Sequence, residues 1–387
     1  MMNNRPTFRG YRRENGKVGI RNHVAVIPTT GISNTAAQNV SKIIHGAEAL
    51  THPFGELQFG KDLELFFRTV IGVGSNPNVA AAVVIGLEPD WTDKIAAGIA
   101  ETGKPVASFY LERHGDLATI ERAARKAKEF MHYASEIKPC EIDLSELVVG
   151  IKCSESDTTS GLASNPTIAQ VVEHLLELGA TVMFGETSEL TGAEHIIADR
   201  FKSIKEQEKF RRVYNEYAEF IESKHAHLLG SQPTQGNIHG GLSTIEEKAF
   251  GNIQKIGNAM IDGVLEPGEA PPGRGLWFMN TSSDAAEVLT LFAAAGSTLQ
   301  IMSTGQGNIV GNPVVPVIKL SANPLTVSVM SEHIDLNVSG LLSREITLEQ
   351  AGDMLMNMVL RTAGGRLTSS EVLGHREFLP PKLFRSA

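Results

Sequence analysis

Short apolar segments that suit buried strands alternate with helix-like segments along most of the chain. The first three are residues 23–29 (HVAVIPT), 79–87 (VAAAVVIGL) and 105–111 (PVASFYL). The alternation starts again at residues 147–153 (LVVGIKC) and 181–186 (TVMFGE). Strands that alternate with helices are typical of βαβ units in a mostly parallel sheet. The sequence therefore predicts an α/β protein with two domains, each with a mostly parallel sheet flanked by helices.

The stretch between these two series sets the predicted domain boundary. Residues 137–146 (IKPCEIDLSE) contain a proline and a cluster of charges, which favour a boundary. The chain has 387 residues, more than one hydrophobic core usually organises. We predict an N-terminal domain over residues 1–140 and a C-terminal domain over residues 141–387.

Composition excludes several classes of protein. The longest apolar runs are too short to span a bilayer, and residues 1–17 lack the apolar segment of a secretory signal. Two cysteines cannot form a disulfide framework, which fits a reducing compartment. A net charge of -9 argues against binding to nucleic acid. We therefore expect a cytoplasmic protein that acts on a small molecule, without a membrane or nucleic-acid partner.

A polar turn follows the predicted strand at residues 147–153. It runs through residues 153–161 (CSESDTTSG) into a helix for which Asn165 is the predicted N-cap and Pro166 the first residue. Ligands of open α/β sheets bind beyond the carboxyl ends of the strands, so this turn is placed to hold an anion or a metal. The same residue types also dominate ordinary turns, and a strand-end cysteine such as Cys153 is often inert packing. Both interpretations stay open at this point.

A glycine-rich segment precedes a second helix. In residues 233–248 (PTQGNIHGGLSTIEEK) the glycines permit close backbone approach, and Ser243 and Glu246 have the spacing of a capping box. The start of such a helix can bind a carboxylate or a phosphate, and Lys248 is near enough to reach the same ligand. The alternative is simply a well-capped helix. A charged stretch from about residue 203 to 229 upstream also has helical spacing.

Residues 303–313 (STGQGNIVGNP) do not form a dinucleotide fingerprint. The spacing from Gly307 to Gly311 is too long, and no helix is predicted to follow. We therefore predict no nucleotide, although Gln306 and Asn308 can hydrogen-bond a polar ligand.

Isolated polar residues near other strands are further candidates. Residues 331–335 (SEHID) gather a histidine with two carboxylates, which suits metal ligation or acid–base chemistry, and His52 follows a probable strand. Arg21 and Asn22 precede the first strand, where a guanidinium can hold a carboxylate. None of these groups has the spacing of a zinc site.

Taken together, segments distributed over nearly the whole chain resemble the altronate and galactarate dehydratase family. The resemblance implies a lyase that uses iron or another divalent metal, in a family that also includes removal of sulfite from (2R)-sulfolactate. It further implies the large subunit of an enzyme with a separate small subunit. The segments that carry it are residues 10–29, 49–55, 149–166, 236–257, 303–324 and 367–378.

The chain departs from the family pattern at two cysteine positions. Glu56, in residues 52–56 (HPFGE), stands where the resemblance leads us to expect a cysteine, and the region of Glu88 and Pro89 lacks another. Cys153 remains. A hard cation held by histidine and carboxylates therefore suits these residues better than a thiolate-rich site.

The reactions that the resemblance implies share one course. The proton on the carbon next to a carboxylate is removed, a group leaves from the β carbon, and the enol becomes a 2-oxo acid. Sulfite is a better leaving group than hydroxide, so the missing cysteines favour (2R)-sulfolactate as substrate, with pyruvate and sulfite as products. The alternatives are an altronate or related sugar-acid dehydratase large subunit and a non-catalytic sugar-acid or sulfonate binding protein.

The resemblance and the motifs together give a predicted site. The catalytic candidates are His52, Lys248 and His333. The substrate-binding candidates are Arg21, Asn22, Ser154, Ser156, Asp157, Ser160, Asn237, Gly240, Gly241, Gln306 and Asn308. The metal candidates are His52, Glu56, Cys153 and Glu332, for Fe²⁺ with Mn²⁺ or Mg²⁺ as alternatives. We expect a homo- or hetero-oligomer.

Overall fold

A computed structural model of the chain describes residues 6–225 and 232–387. Its strands are β1 Thr7–Arg12, β2 Val18–Gly19, β3 His23–Pro28, β4 Ala47–Ala49, β5 Val79–Gly86, β6 Val106–Tyr110, β7 Cys140–Asp143, β8 Val148–Ser154, β9 Thr181–Phe184, β10 Gly263–Leu265, β11 Gly275–Met279, β12 Leu299–Thr304, β13 Val317–Ser321 and β14 Leu336–Asn337. Its α-helices are Asn34–Ile43, Gly60–Ser75, Pro89–Ala100, Asp116–Glu136, Asn165–Glu177, Glu194–Ala198, Ile204–Ser223, Gln235–His239, Ile245–Ile253, Ala285–Ala294, Pro324–Val329, Leu348–Ala363 and Ser369–Leu373.

The first domain is a parallel sheet in the order β4-β3-β5-β6. Every residue of β5 is buried, because helices cover both faces of the sheet. Ala82 and Val84 pack towards helices Gly60–Ser75 and Pro89–Ala100, on one face. Ala81 and Val83 of β5 pack towards helices Asn34–Ile43 and Asp116–Glu136, on the other face of the sheet.

The second domain is a larger parallel sheet in the order β10-β11-β9-β8-β12-β13-β14. Helices Asn165–Glu177 and Leu348–Ala363 cover one face, and helix Ala285–Ala294 covers part of the other. The carboxyl ends of β8, β9, β11 and β12 therefore lie side by side at one edge. The predicted fold class, two mostly parallel sheets flanked by helices, is confirmed.

A small antiparallel sheet, in the order β2-β1-β7, was not predicted. Its strand β7 lies in the segment interpreted as a domain boundary, because the backbone of residues 140–143 pairs with β1. Helices Gly60–Ser75 and Ala285–Ala294 were also missed. They pack so closely that a Cβ added to Gly72 would lie 2.5 Å from the Ala294 carbonyl oxygen, and this contact joins the two domains.

Several helix boundaries differ from the prediction. Asn165 is inside its helix, since a π-helical turn at Ser160–Ser164 precedes it. The charged helix spans Ile204–Ser223, and its predicted end at residue 229 lies outside the described residues. Within the part of the chain that the structure describes, no helix is long and apolar enough to cross a membrane.

Candidate active site

The loop after β8 is organised by Asp157. Its Oδ1 accepts hydrogen bonds from Thr159 Oγ1 at 2.6 Å and from the Ser160 backbone N–H at 3.1 Å. Its Oδ2 accepts one at 2.7 Å from Asn323 Nδ2, beyond the end of β13. Asp157 therefore fixes the conformation of the loop and ties it to a neighbouring strand.

The glycine-rich segment packs directly on this loop. Asn237 Nδ2 donates to the Ser156 carbonyl at 2.8 Å, and the Thr158 N–H donates to the Gly240 carbonyl at 3.2 Å. A Cβ added to Gly240 would lie 2.6 Å from Asp157 Cβ, and Gly241 has a φ of 95°. The close approach that these glycines permit is thus to another loop of the protein.

The loop after β12 completes the group. Gln306 Nε2 donates to the Gly236 carbonyl, and Asn308 Nδ2 donates to Ser154 Oγ at 3.0 Å. The structure therefore brings together most of the predicted substrate-binding residues at the carboxyl edge of the larger sheet: Ser154, Ser156, Asp157, Ser160, Asn237, Gly240, Gly241, Gln306 and Asn308.

A buried cluster of three lysines and two glutamates lies beside these loops. We call it the lysine cluster: Lys152, Glu186, Glu189, Lys248 and Lys255. None of its side chains is more than 5% exposed. Lys152 Nζ lies 2.7 Å from Glu186 Oε1, Lys255 Nζ pairs with Glu186 Oε2, and Lys248 Nζ lies 3.1 Å from Glu189 Oε1. The cluster carries one more positive than negative charge.

Charges within the cluster outweigh the effect of burial. Burial alone would raise the pKa of Glu186, but the ammonium groups of Lys152 and Lys255 lower it below its ordinary value. Burial would likewise lower the pKa of Lys152, but Glu186 and Glu189 raise it. The Lys152–Glu186 pair is therefore ionised over the neutral range.

Only Lys248 of this cluster was predicted. Lys152 is the sole charge in the predicted strand LVVGIKC, and Glu186 and Glu189 follow strand β9. A charged residue in a buried strand needs a partner of opposite charge, so this pattern was a usable signal. The pairing itself spans 34 residues for Lys152–Glu186 and 69 for Lys255–Glu186, which local spacing cannot show.

A cavity of about 440 Å³ opens between residues 156–165 and 242–254. Ser156, Asp157, Ser160 and Lys248 line it, as does Asn252, which was not predicted. Asn252 accepts from Lys255 through Oδ1 at 2.5 Å, while its buried Nδ2 has no hydrogen-bond partner among the described residues. The cavity is thus lined by a lysine and an asparagine together with the carboxylates of Asp157 and Glu247.

The start of helix Ile245–Ile253 is already capped by the chain. Thr244, rather than Ser243, is the N-cap, and its side chain accepts from the Glu247 N–H at 3.2 Å. Glu247 in turn accepts from the Ser243 N–H at 2.8 Å. The predicted anion site at this helix start is therefore filled by a carboxylate of the protein, one position from the predicted capping box.

His52 lies in the core of the first domain. Its Nε2 is 2.9 Å from the Pro28 carbonyl, and its Nδ1 accepts from the Phe54 N–H at 3.3 Å. Burial lowers the pKa of His52 to about 4. Both ring nitrogens are used by the backbone of this domain, so the structure does not bring His52 to the lysine cluster.

Arg21 and Asn22 also have partners elsewhere. Arg21 Nε and Nη2 donate to the two carboxylate oxygens of Glu371 at 2.6 and 2.9 Å. Asn22 accepts from Arg13 at 2.8 Å and donates to the Ala134 carbonyl. The predicted carboxylate clamp exists, but the carboxylate is that of Glu371, which ties the start of the chain to its end.

Replacing Arg21 with glutamine is expected to lower the free energy of unfolding by about 3 kcal/mol, because it leaves the largely buried Glu371 carboxylate without its cation. Denaturant unfolding of the full chain measures this. Arg125→Gln is the matched control, since the Arg125 side chain is 75% exposed and contacts an exposed Glu121. A loss from Arg21→Gln no larger than the control's would contradict the clamp.

The predicted metal ligands do not converge. Glu56 and Glu332 are exposed, and Cys153 is buried with Sγ 2.8 Å from Ser156 Oγ. His333 lies 3.3 Å from Glu332 and packs against the ring of His375, apart from the lysine cluster. Across residues 6–225 and 232–387, no three His, Cys, Asp or Glu side chains are arranged to hold a metal ion. These residues do not fit the predicted divalent ion, and no step below uses one.

Comparison with known proteins adds the family. Residues 10–135 match the model of "D-galactarate dehydratase/Altronate hydrolase, second domain", and residues 144–386 match that of "D-galactarate/Altronate dehydratase, C-terminal". The chain is 57% identical over 383 residues to (2R)-sulfolactate sulfo-lyase subunit beta of Chromohalobacter salexigens, covering 98% of both chains. It is 28% identical to altronate dehydratase of Bacillus subtilis, over 95% of this chain and 76% of that one. It is 29% identical to galactarate dehydratase (L-threo-forming) of Escherichia coli, over 93% of this chain and 73% of that one.

Proposed function

The chain belongs to the D-galactarate/altronate dehydratase family and is a lyase, and we propose that it is the larger subunit of a (2R)-sulfolactate sulfo-lyase. The observation that carries this proposal is the 57% identity over 98% of both chains to a protein named as the beta subunit of that enzyme. The same name supports a separate partner subunit. The proposal also includes a small size for that partner and a cytoplasmic location.

The buried lysines beside the cavity support this substrate. Sulfolactate carries a carboxylate and a sulfonate, so it enters as a dianion. Lys248 and Asn252 line the cavity together with the carboxylates of Asp157 and Glu247, and the lysine cluster beside it places three lysines and two glutamates in a buried setting. In such a setting an anion interacts with the ammonium groups more strongly than in water.

The chemistry needs a base and a stabilised anion. Removal of the α proton produces an enolate-like species next to the carboxylate, and a fixed ammonium group lowers the energy of that charge. Lys248 is the predicted catalytic residue that lines the cavity, whereas His52 lies in the core of the other domain. We assign proton removal to Lys248, and loss of sulfite from the β carbon follows.

The test is an assay of the tagged chain purified together with its partner subunit, with and without added Fe²⁺, Mn²⁺ or Mg²⁺. Sulfolactate and altronate are offered separately, and sulfite and 2-oxo acid are measured. We expect equal amounts of sulfite and pyruvate from sulfolactate and no product from altronate. A 2-oxo acid from altronate alone would instead establish the dehydratase. If sulfolactate or altronate stabilises the protein against unfolding but neither is converted, the chain is a binding protein.

A further inference from the structure

The two buried glutamates of the lysine cluster differ in their partners. Both carboxylate oxygens of Glu186 are paired, Oε1 with Lys152 and Oε2 with Lys255. Glu189 pairs through Oε1 with Lys248, but its buried Oε2 has no hydrogen-bond partner among the described residues. An unpaired buried carboxylate oxygen is unfavourable and therefore needs a reason.

Lys248 connects this carboxylate to the cavity. Glu189 belongs to the short turn Thr187–Leu190 after β9, which packs against helix Ile245–Ile253. Its side chain is 5% exposed, so a ligand in the cavity does not reach it directly. Lys248 lines the cavity, and its Nζ lies 3.1 Å from Glu189 Oε1, within reach for transfer of a proton. The same Nζ donates to Asn237 Oδ1 at 3.0 Å and to Gln232 Oε1.

We propose that Glu189 takes a proton from the Lys248 ammonium, which leaves Lys248 as the neutral amine that removes the substrate's α proton. This inference rests on the proposed function and deepens it. Glu189 is a positioning residue, since it acts through Lys248, and Lys248 is the group that touches the substrate. No residue of the turn Thr187–Leu190 was among the predicted site residues.

The proton balance closes over one cycle. The ammonium of Lys248 gives one proton to Glu189 Oε1, and the neutral amine then removes the α proton. The C–H bonding pair is first delocalised into the carboxylate as the enolate-like species. It then forms the carbon–carbon double bond of the enol as the carbon–sulfur bond breaks, and sulfite leaves with the carbon–sulfur bonding pair. Lys248 is again an ammonium and Glu189 is protonated.

Formation of pyruvate returns Lys248 and Glu189 to their starting protonation states. Lys248 gives a proton to the β carbon of the enol, which becomes the methyl group, and Glu189 returns its proton to the amine. The hydroxyl proton of the enol passes to sulfite as the ketone forms. The products are pyruvate and hydrogensulfite, and Lys248 and Glu189 are once more a charged pair. Glu186 is less suited to this task, because both of its oxygens are held by ammonium groups.

Glu189→Gln tests the proposal in the assembled enzyme. The amide keeps the size of the side chain and can accept from Lys248, but it does not take up a proton. We expect kcat for sulfite release to fall by about 10²–10⁴-fold with KM changed only a few-fold. The isotope effect with sulfolactate deuterated at the α carbon should increase, because proton removal becomes fully rate-limiting. A merely structural role would not change that isotope effect.

Two further variants secure the interpretation. Glu189→Asp restores a carboxylate and should give a kcat between those of wild type and Glu189→Gln. Glu246→Gln makes the same chemical change at an exposed position on the same helix as Lys248 and should match wild type. If Glu189→Gln does not assemble with the partner subunit, the test rests on Glu189→Asp. A kcat and an isotope effect that are unchanged in Glu189→Asp would then overturn the proposal. If wild type releases sulfite and Glu189→Gln does so equally fast, the proposal is wrong while the proposed function stands.

Discussion

Replacing Lys248 with methionine should lower the rate of sulfite release by about 10²–10⁴-fold, the usual contribution of a general base. Methionine is also unbranched and apolar, so it can occupy much of the space of the lysine stem but carries no amine. It leaves the oxygens of Glu189 and Asn237 without the donor they have now. Some loss of stability is therefore expected, about 1–3 kcal/mol, and kcat is measured at a temperature where the variant remains folded.

Two companions of Lys248→Met separate the roles of charge and proton transfer. Lys248→Arg keeps a positive charge, but a guanidinium does not release its proton near neutral pH. The Lys248→Arg enzyme should therefore be nearly as inactive as Lys248→Met. In Lys248→Ala, added methylamine should restore part of the activity by entering the cavity of about 440 Å³. The exposed Lys205→Met is the control. Full activity of Lys248→Arg would show that Lys248 contributes charge alone.

Local sequence predicted the central strands of both parallel sheets but missed two long helices, Gly60–Ser75 and Ala285–Ala294. β5 and β8 were found because their apolar runs are buried on both faces of a parallel sheet. Helix Ala285–Ala294 was missed because it too is buried nearly all round, between the larger sheet and helix Gly60–Ser75. A helix covered on two sides loses the polar face that gives a helical period.

The site was predicted where strand ends define it and missed where partners are distant. The loops that follow β8 and β12 converge as expected, because parallel strands end at one edge of a sheet. Glu186 and Lys255 could not be predicted from spacing, since their contact depends on how a turn and a helix fold over that edge. Arg21 shows the opposite error, since its local pattern suggested a ligand site and only the fold supplies Glu371 as its partner.

Glu186→Gln should be the most destabilising single change in the lysine cluster, with a loss of about 3–5 kcal/mol in the free energy of unfolding. It removes the carboxylate that pairs with both Lys152 and Lys255, neither of which is more than 1% exposed. Two ammonium groups would then lose the carboxylate that pairs with both of them, and only the charge of Glu189 would still act on Lys152. Denaturant unfolding of wild type and variant measures the loss. Glu216→Gln, on an exposed stretch of helix Ile204–Ser223, should change it by less than about 0.5 kcal/mol.

The pH dependence of this loss has a definite sign. The pKa of Glu186 is lowered in the folded protein by Lys152 and Lys255 against the effect of burial, so its contribution is fully present above the unfolded value, about 4.3. That contribution decreases as pH falls through the folded pKa. The pKa of Lys152 is raised by Glu186 and Glu189 against the effect of burial, so its contribution decreases only as pH rises above its unfolded value, about 10.4. The difference in unfolding free energy between wild type and Glu186→Gln should therefore be constant from about pH 5 to pH 9 and shrink in acid. A difference that grows as pH falls below 4.3 would contradict an ionised Glu186 at the centre of the cluster.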